Sequence, residues 1–105
     1  MKLLLLMIMG VVTDPDLKVR LDPPQCLEPC NTAAHIEVSK EISLKSEFCI
    51  HASNSEATTG SCWPLELRGF SVSLKDFRRG NYIIEVSVQG LTNKQTLVVY
   101  GPGVI

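Results

Sequence analysis

The sequence predicts an all-β fold, a disulfide-stabilised antiparallel β-sandwich of about seven short strands. Three observations carry that expectation. Apolar and polar residues alternate in run after run, the period of a strand with one face buried. No window of about 11 residues keeps the apolar stripe of an amphipathic helix. The four cysteines are an even set in a chain of 105 residues, small enough to benefit from covalent cross-links.

The runs come in a clear order. Leu17 to Leu21 alternates apolar and charged residues, and Asp22-Pro23-Pro24 ends it, because proline cannot feed a sheet ladder. Gln25 to Thr32 reads as an irregular, cysteine-bearing loop. His35 to Ser39 alternates again, with Ile42 and Leu44 extending that strand past a bend at Lys40-Glu41. Phe48, Ile50 and Ala52 share one face of the next strand. The polar, turn-rich stretch Ser53 to Ser61 reads as a loop. Trp63, Leu65 and Leu67 alternate with Pro64, Glu66 and Arg68, and Phe70, Val72 and Leu74 with Ser71, Ser73 and Lys75. Tyr82, Ile84, Val86 and Val88 form the longest apolar face. Gly90 to Lys94 then reads as the connection of a hairpin whose second strand is Gln95 to Tyr100.

The amino terminus predicts the compartment. Met1-Lys2 is followed by an apolar run from Leu3 to Val12, broken only by Gly10. Its length matches the apolar region of a secretory signal peptide, about 7–15 residues, and falls short of the roughly 20 needed to span a bilayer. Residues 1–13 therefore read as a leader cut before Asp14, residues 14–100 as one domain, and residues 101–105 as a tail or Gly-Pro linker. No second apolar stretch follows, so no membrane span is expected in the mature chain. Export makes disulfides the first reading of Cys26, Cys30, Cys49 and Cys62. Four cysteines permit three pairings. The local pairing, Cys26 with Cys30 and Cys49 with Cys62, is the preferred reading, while crossed pairings would tie the Cys26–Cys30 region to the following hairpin.

From Leu74 to Tyr82 the chain reads Leu-Lys-Asp-Phe-Arg-Arg-Gly-Asn-Tyr before an alternating strand. This resembles the corner that leads into a central strand of immunoglobulin-like and fibronectin type III-like sandwiches. The resemblance implies an immunoglobulin-like antiparallel sandwich. It assigns Tyr82 a hydroxyl bond to upstream backbone and Gly80 a backbone shape unfavourable to other residues. Trp63 follows Cys49 at a separation similar to that between the family's first cysteine and its core tryptophan. Two residues after Tyr82, where an immunoglobulin domain carries its second cysteine, this chain has Ile84. Cys49 therefore lacks the partner of the family's usual inter-sheet bridge, which favours Cys62 over the crossed pairings without excluding them.

Composition narrows the function classes. The formal net charge is −1, from 10 basic and 11 acidic side chains without long blocks, so the basic stripe of a nucleic-acid binder is missing. His35 and His51 alternate with apolar neighbours, as solvent-facing strand residues do, and Cys-x3-Cys with a distant cysteine pair is a poor match to a zinc set. No metal and no cofactor are expected. Glu37, Glu41, Glu66 and Glu85 suit solvated outer faces better than paired acids, and no Gly-x-Ser-x-Gly elbow occurs. Catalysis is not expected. Arg78-Arg79 resembles a dibasic processing site, yet reads better as a charged turn before Gly80. Asn31, Asn54, Asn81 and Asn93 all lack the third residue of a glycosylation sequon. Trp63 and Phe70, at strand period, read as core more than as exposed anchors.

The expected function is a secreted, non-catalytic module that binds an extracellular or luminal protein. If the ends of the sandwich do the binding, the candidate contacts are Ser53, Asn54, Ser55, Glu56, Thr58 and Thr59 in one loop and Leu91, Thr92 and Asn93 in the other. Two alternatives stand beside it: an amino-terminal accessory domain of a larger secretory-pathway protein or enzyme, and a small secreted inhibitor or defence factor.

Overall fold

The computed structural model describes residues 16–101. The leader expected over residues 1–13 lies outside the described residues, as does the tail beyond Gly101. Within them the chain forms eight strands and no helix. They are β1 (Leu17–Asp22), β2 (Gln25–Leu27), β3 (Cys30–Val38), β4 (Glu47–Ser53), β5 (Thr58–Pro64), β6 (Gly69–Phe77), β7 (Gly80–Val88) and β8 (Leu91–Tyr100).

The strands make two sheets. One has the order β1-β3-β6, the other β2-β8-β7-β4-β5. All pairings are antiparallel except β2 with β8, which is parallel. The apolar face of each strand explains why the sheets pack. Leu17 and Leu21 of β1 and Ala34, Ile36 and Val38 of β3 are buried from one side. Phe48 and Ile50 of β4, Ile84, Val86 and Val88 of β7, and Leu97 and Val99 of β8 are buried from the other. All belong to one continuous core. Burying a side chain of this size contributes about 1.5–3 kcal/mol.

Phe48, fully buried, anchors the core. It meets Trp63 and Phe70 edge to face, with both centroid separations 5.1 Å, a geometry that pairs the positive edge of one ring with the negative face of another. Trp63 itself is half-buried on the edge strand β5, next to the strand that carries Cys49. The fully buried aromatic of this core is thus a phenylalanine, not the tryptophan the family spacing pointed to.

Five local expectations change. The alternation read over Trp63 to Arg68 does not continue as a strand, because β5 ends at Pro64 and Leu67 is exposed. The stretch Gln25 to Thr32 is not irregular throughout: β2 pairs with Val98 to Tyr100, and β3 already starts at Cys30. Ile42 and Leu44 do not extend β3, because the chain turns after Val38, held by Arg68 donating to the Ser39 and Ile42 carbonyls at 2.6 and 2.7 Å. The loop expected over Ser53 to Ser61 shrinks to a tight turn at Asn54–Ala57, since β5 begins at Thr58. The connection expected over Gly90 to Lys94 is a two-residue turn, Gln89-Gly90, with Val88 facing Leu91 across the hairpin. Leu91, Thr92 and Asn93 therefore lie in β8. Both turn residues have positive φ, 47° at Gln89 and 83° at Gly90, which matches the twist that such short hairpins demand.

Disulfide bonds join Cys26 to Cys30 and Cys49 to Cys62. The first closes the step from β2 to β3. The second links β4 to β5 within one sheet.

Candidate functional site

The sandwich is open along one side. β6 is the edge of the first sheet and β5 the edge of the second, and these two strands do not pair with each other. Between them lies a cleft of about 500 Å³. Its apolar lining comes from Ile50 and Ala52 of β4, Leu74 and Phe77 of β6, and Tyr82 and Ile84 of β7. Its rim is polar: Asn54 in the β4–β5 turn, Thr59 and Ser61 of β5, and Lys75, Asp76 and Arg78 along β6 and beyond. An apolar floor with a few polar groups around the mouth is the usual composition of a binding cleft.

Local sequence builds each wall. In β6, Lys75 and Asp76 together oppose the single residue Asn31, because Cys30 faces Phe77 while Thr32 faces Leu74. This is a β-bulge, with Asp76 at φ 66° and its backbone N–H donating to the Asn31 side-chain oxygen at 2.9 Å. A bulge bends the strand and re-aims its side chains, here bringing Lys75 and Asp76 to the cleft mouth. The turn opposite is shaped by Asn54, whose side-chain oxygen accepts from the backbone N–H groups of Glu56 and Ala57, both at 2.9 Å. That is the self-bonding for which asparagine is favoured in turns.

The corner beneath the cleft is set by Tyr82. Its hydroxyl donates to the Arg78 carbonyl at 2.9 Å, and its ring stands edge-on to Phe77 with centroids 4.9 Å apart. Gly80 lies between them at φ 142°, and a Cβ there would come within 3.7 Å of the Tyr82 ring. Arg79 donates its backbone N–H to a Glu28 carboxylate oxygen at 2.6 Å, and its guanidinium packs beside Gly101. The Arg78-Arg79 pair is thus built into the corner as a turn.

Of the candidate contacts read from the sequence, Asn54 and Thr59 line the cleft. Ser53, Ser55, Glu56 and Thr58 lie around the same turn but do not line it. Leu91, Thr92 and Asn93 belong to β8, away from the cleft, and Asn93 is only 6% exposed. Its amide donates to the Leu17 carbonyl at 3.0 Å and its oxygen accepts from Gln95 at 2.8 Å. This residue ties the start of β1 to the opposite sheet.

Two other groupings have the look of chemistry. On the outer face of the first sheet, His35 and Ser71 share a hydrogen bond of 2.6 Å, and the far ring nitrogen of His35 lies 3.8 Å from Asp22. A nucleophile, base and acid in line still require donors aimed at a developing oxyanion. Glu47, Cys49 and Cys62 bring ligand atoms within 4.8 Å of one another, but the two sulfurs are bonded together and offer no thiolate to a metal. His51 lies against Gly60.

Among the described residues no helix is long and apolar enough to cross a membrane. A scan against protein-family models and searches of the curated proteins and the solved structures each found no match.

Proposed function

We propose that this chain is a secreted, non-catalytic binding module of immunoglobulin-like topology that takes a segment of an extracellular or luminal protein into the cleft between β5 and β6. The observation that carries the proposal is the cleft itself, with its apolar floor of Ile50, Leu74, Phe77 and Ile84 and its polar rim. The disulfides favour an oxidising compartment, in keeping with the leader read over residues 1–13. The strand order supports the immunoglobulin-like reading. β1, β3 and β6 would stand for strands A, B and E, and β8, β7 and β4 for G, F and C, with β5 beside C as an added strand. The Tyr82 hydroxyl bond to Arg78 fits the tyrosine corner of that family.

The test uses the chain produced in an oxidising host and a double charge reversal at the rim, Lys75→Glu with Arg78→Glu. Wild type is expected to capture a defined protein from native extracellular material, and the double variant to lose it while keeping its far-ultraviolet spectrum and both disulfides. Capture that survives the reversal removes the cleft as the binding surface.

The accessory-domain reading has one observation in its favour. Leu27 and Tyr100 are paired neighbours that expose 64% and 45% of their surface, an apolar patch suited to a neighbouring domain. A longer transcript continuing past Ile105 would support it, and a stop codon in every transcript would remove it.

A further inference from the structure

The two sheets have four edges, and three of them are defended against strand pairing. β1 alternates Lys18, Arg20 and Asp22 along its exposed face, and β6 carries the bulge at Lys75-Asp76. On the fourth side β2, three residues long between Pro24 and Pro29, covers Val98 to Tyr100 of β8, whose remaining length carries the charge of Lys94. Charges, bulges, prolines and shortness are the usual ways of blocking edge-to-edge association. β5 has none of these along most of its length. Thr58 to Trp63 contains no charge and no proline, its register with β4 is unbroken, and nearly every residue is exposed.

The free hydrogen-bonding groups of β5 can be assigned. Cys49 and Cys62 are direct partners with Cα atoms 4.1 Å apart, the spacing of a non-hydrogen-bonded antiparallel pair. In agreement, the Leu65 N–H donates to Ser46 and the Asn54 N–H to Ala57, at 2.9 and 3.0 Å, so the odd-numbered positions bond towards β4. Thr58, Gly60 and Cys62 therefore present both their N–H and C=O groups to the open edge, and Pro64 presents its C=O.

We infer that the occupant of this edge is β5 of a second copy of the chain, paired antiparallel about a two-fold axis at Ser61. The inference rests on the edge and not on the cleft reading. In that register Gly60 and Cys62 exchange N–H···O=C bonds with their symmetry mates, and the Thr58 N–H meets the Pro64 carbonyl. Thr59 stands opposite Trp63, the β-branched and aromatic combination favoured across strands, and the two Ser61 hydroxyls face each other. A strand without charge meets its own copy without like-charge repulsion. Gly60 adds no side chain at the junction. The interface is self-complementary, as a two-fold dimer requires.

The experiment is sedimentation equilibrium of the full chain, produced in an oxidising host, over a wide concentration range. Wild type is expected to move towards twice the monomer mass as concentration rises. Ser61→Lys and Ser61→Glu, each placing like charges at the axis, are expected to stay monomeric alone, and their equimolar mixture to recover the dimer. That recovery cannot come from misfolded chains. A wild type that stays monomeric throughout, single variants that dimerise like wild type, or a mixture that stays monomeric would each overturn the inference. Lys75→Glu with Arg78→Glu lies outside the paired strand and is expected to dimerise normally, so loss of partner capture and loss of the dimer are read separately.

Discussion

Cys49 and Cys62 face each other directly across β4 and β5, Cα to Cα 4.1 Å, and their disulfide spans the outer surface of a single sheet. Their neighbours Phe48, Ile50 and Trp63 turn inward. The bond therefore does not bolt the sheets together but holds the edge strand β5, which has few buried side chains of its own. Replacing both cysteines by alanine is expected to cost roughly 3 kcal/mol, the chain-entropy value for a loop of about this size. Urea denaturation measures the loss. Hydrogen exchange of β5 is expected to rise well before that of β7, and a uniform rise over both would contradict the assignment.

Tyr82→Phe removes only the hydroxyl that bonds to the Arg78 carbonyl. The ring, with its contact to Phe77, stays. A loss of about 1 kcal/mol is expected, typical of one intramolecular hydrogen bond. The midpoint of denaturant unfolding reports it. An unchanged midpoint would mean the corner is held by packing alone.

Asn93 is a buried polar residue with both ends of its amide bonded, to Leu17 and to Gln95. Asn93→Ala leaves the Leu17 carbonyl without that donor, at an expected cost of about 1–3 kcal/mol. Amide exchange at the start of β1 should accelerate in the same variant. A stability loss with no change at β1 would place the effect elsewhere.

Phe48→Ala opens a cavity where three aromatic rings meet. The expected cost is about 3–5 kcal/mol, transfer plus cavity. Trp63 fluorescence should shift to the red as water reaches its ring, and an unshifted spectrum would show that Trp63 does not depend on Phe48 for its burial.

Much of the fold was legible because burial on one face enforces a period of two. β1, β4, β6 and β7 all carry that pattern in their residues. β5 does not, because an edge strand exposed on both faces has no reason to alternate, and Thr58 to Ser61 have the composition of a loop. The first half of β8 was hidden differently. Its inward positions include Asn93 and Gln95, so polar residues occupy places where a half-buried strand ordinarily carries apolar ones. The cleft was legible only in pieces. Its walls come from four strands and two turns: Asn54, Ala57, Thr59, Gly60 and Ser61 fall within the Ser53–Ser61 stretch that sequence offered for binding, whereas Leu74 to Arg78 and Tyr82 fall within the corner that sequence read as structural alone. The Lys75-Asp76 bulge has no signature beyond a charged pair interrupting an apolar alternation.

The most direct test of the cleft as a binding surface is site-specific photocrosslinking. A photoreactive residue at Arg78, on the rim, is compared with one at Lys18, exposed on β1, both in native extracellular material. Binding in the cleft predicts one discrete adduct from position 78 and none from position 18. Equal labelling from both positions, or an adduct from position 18 alone, would contradict it.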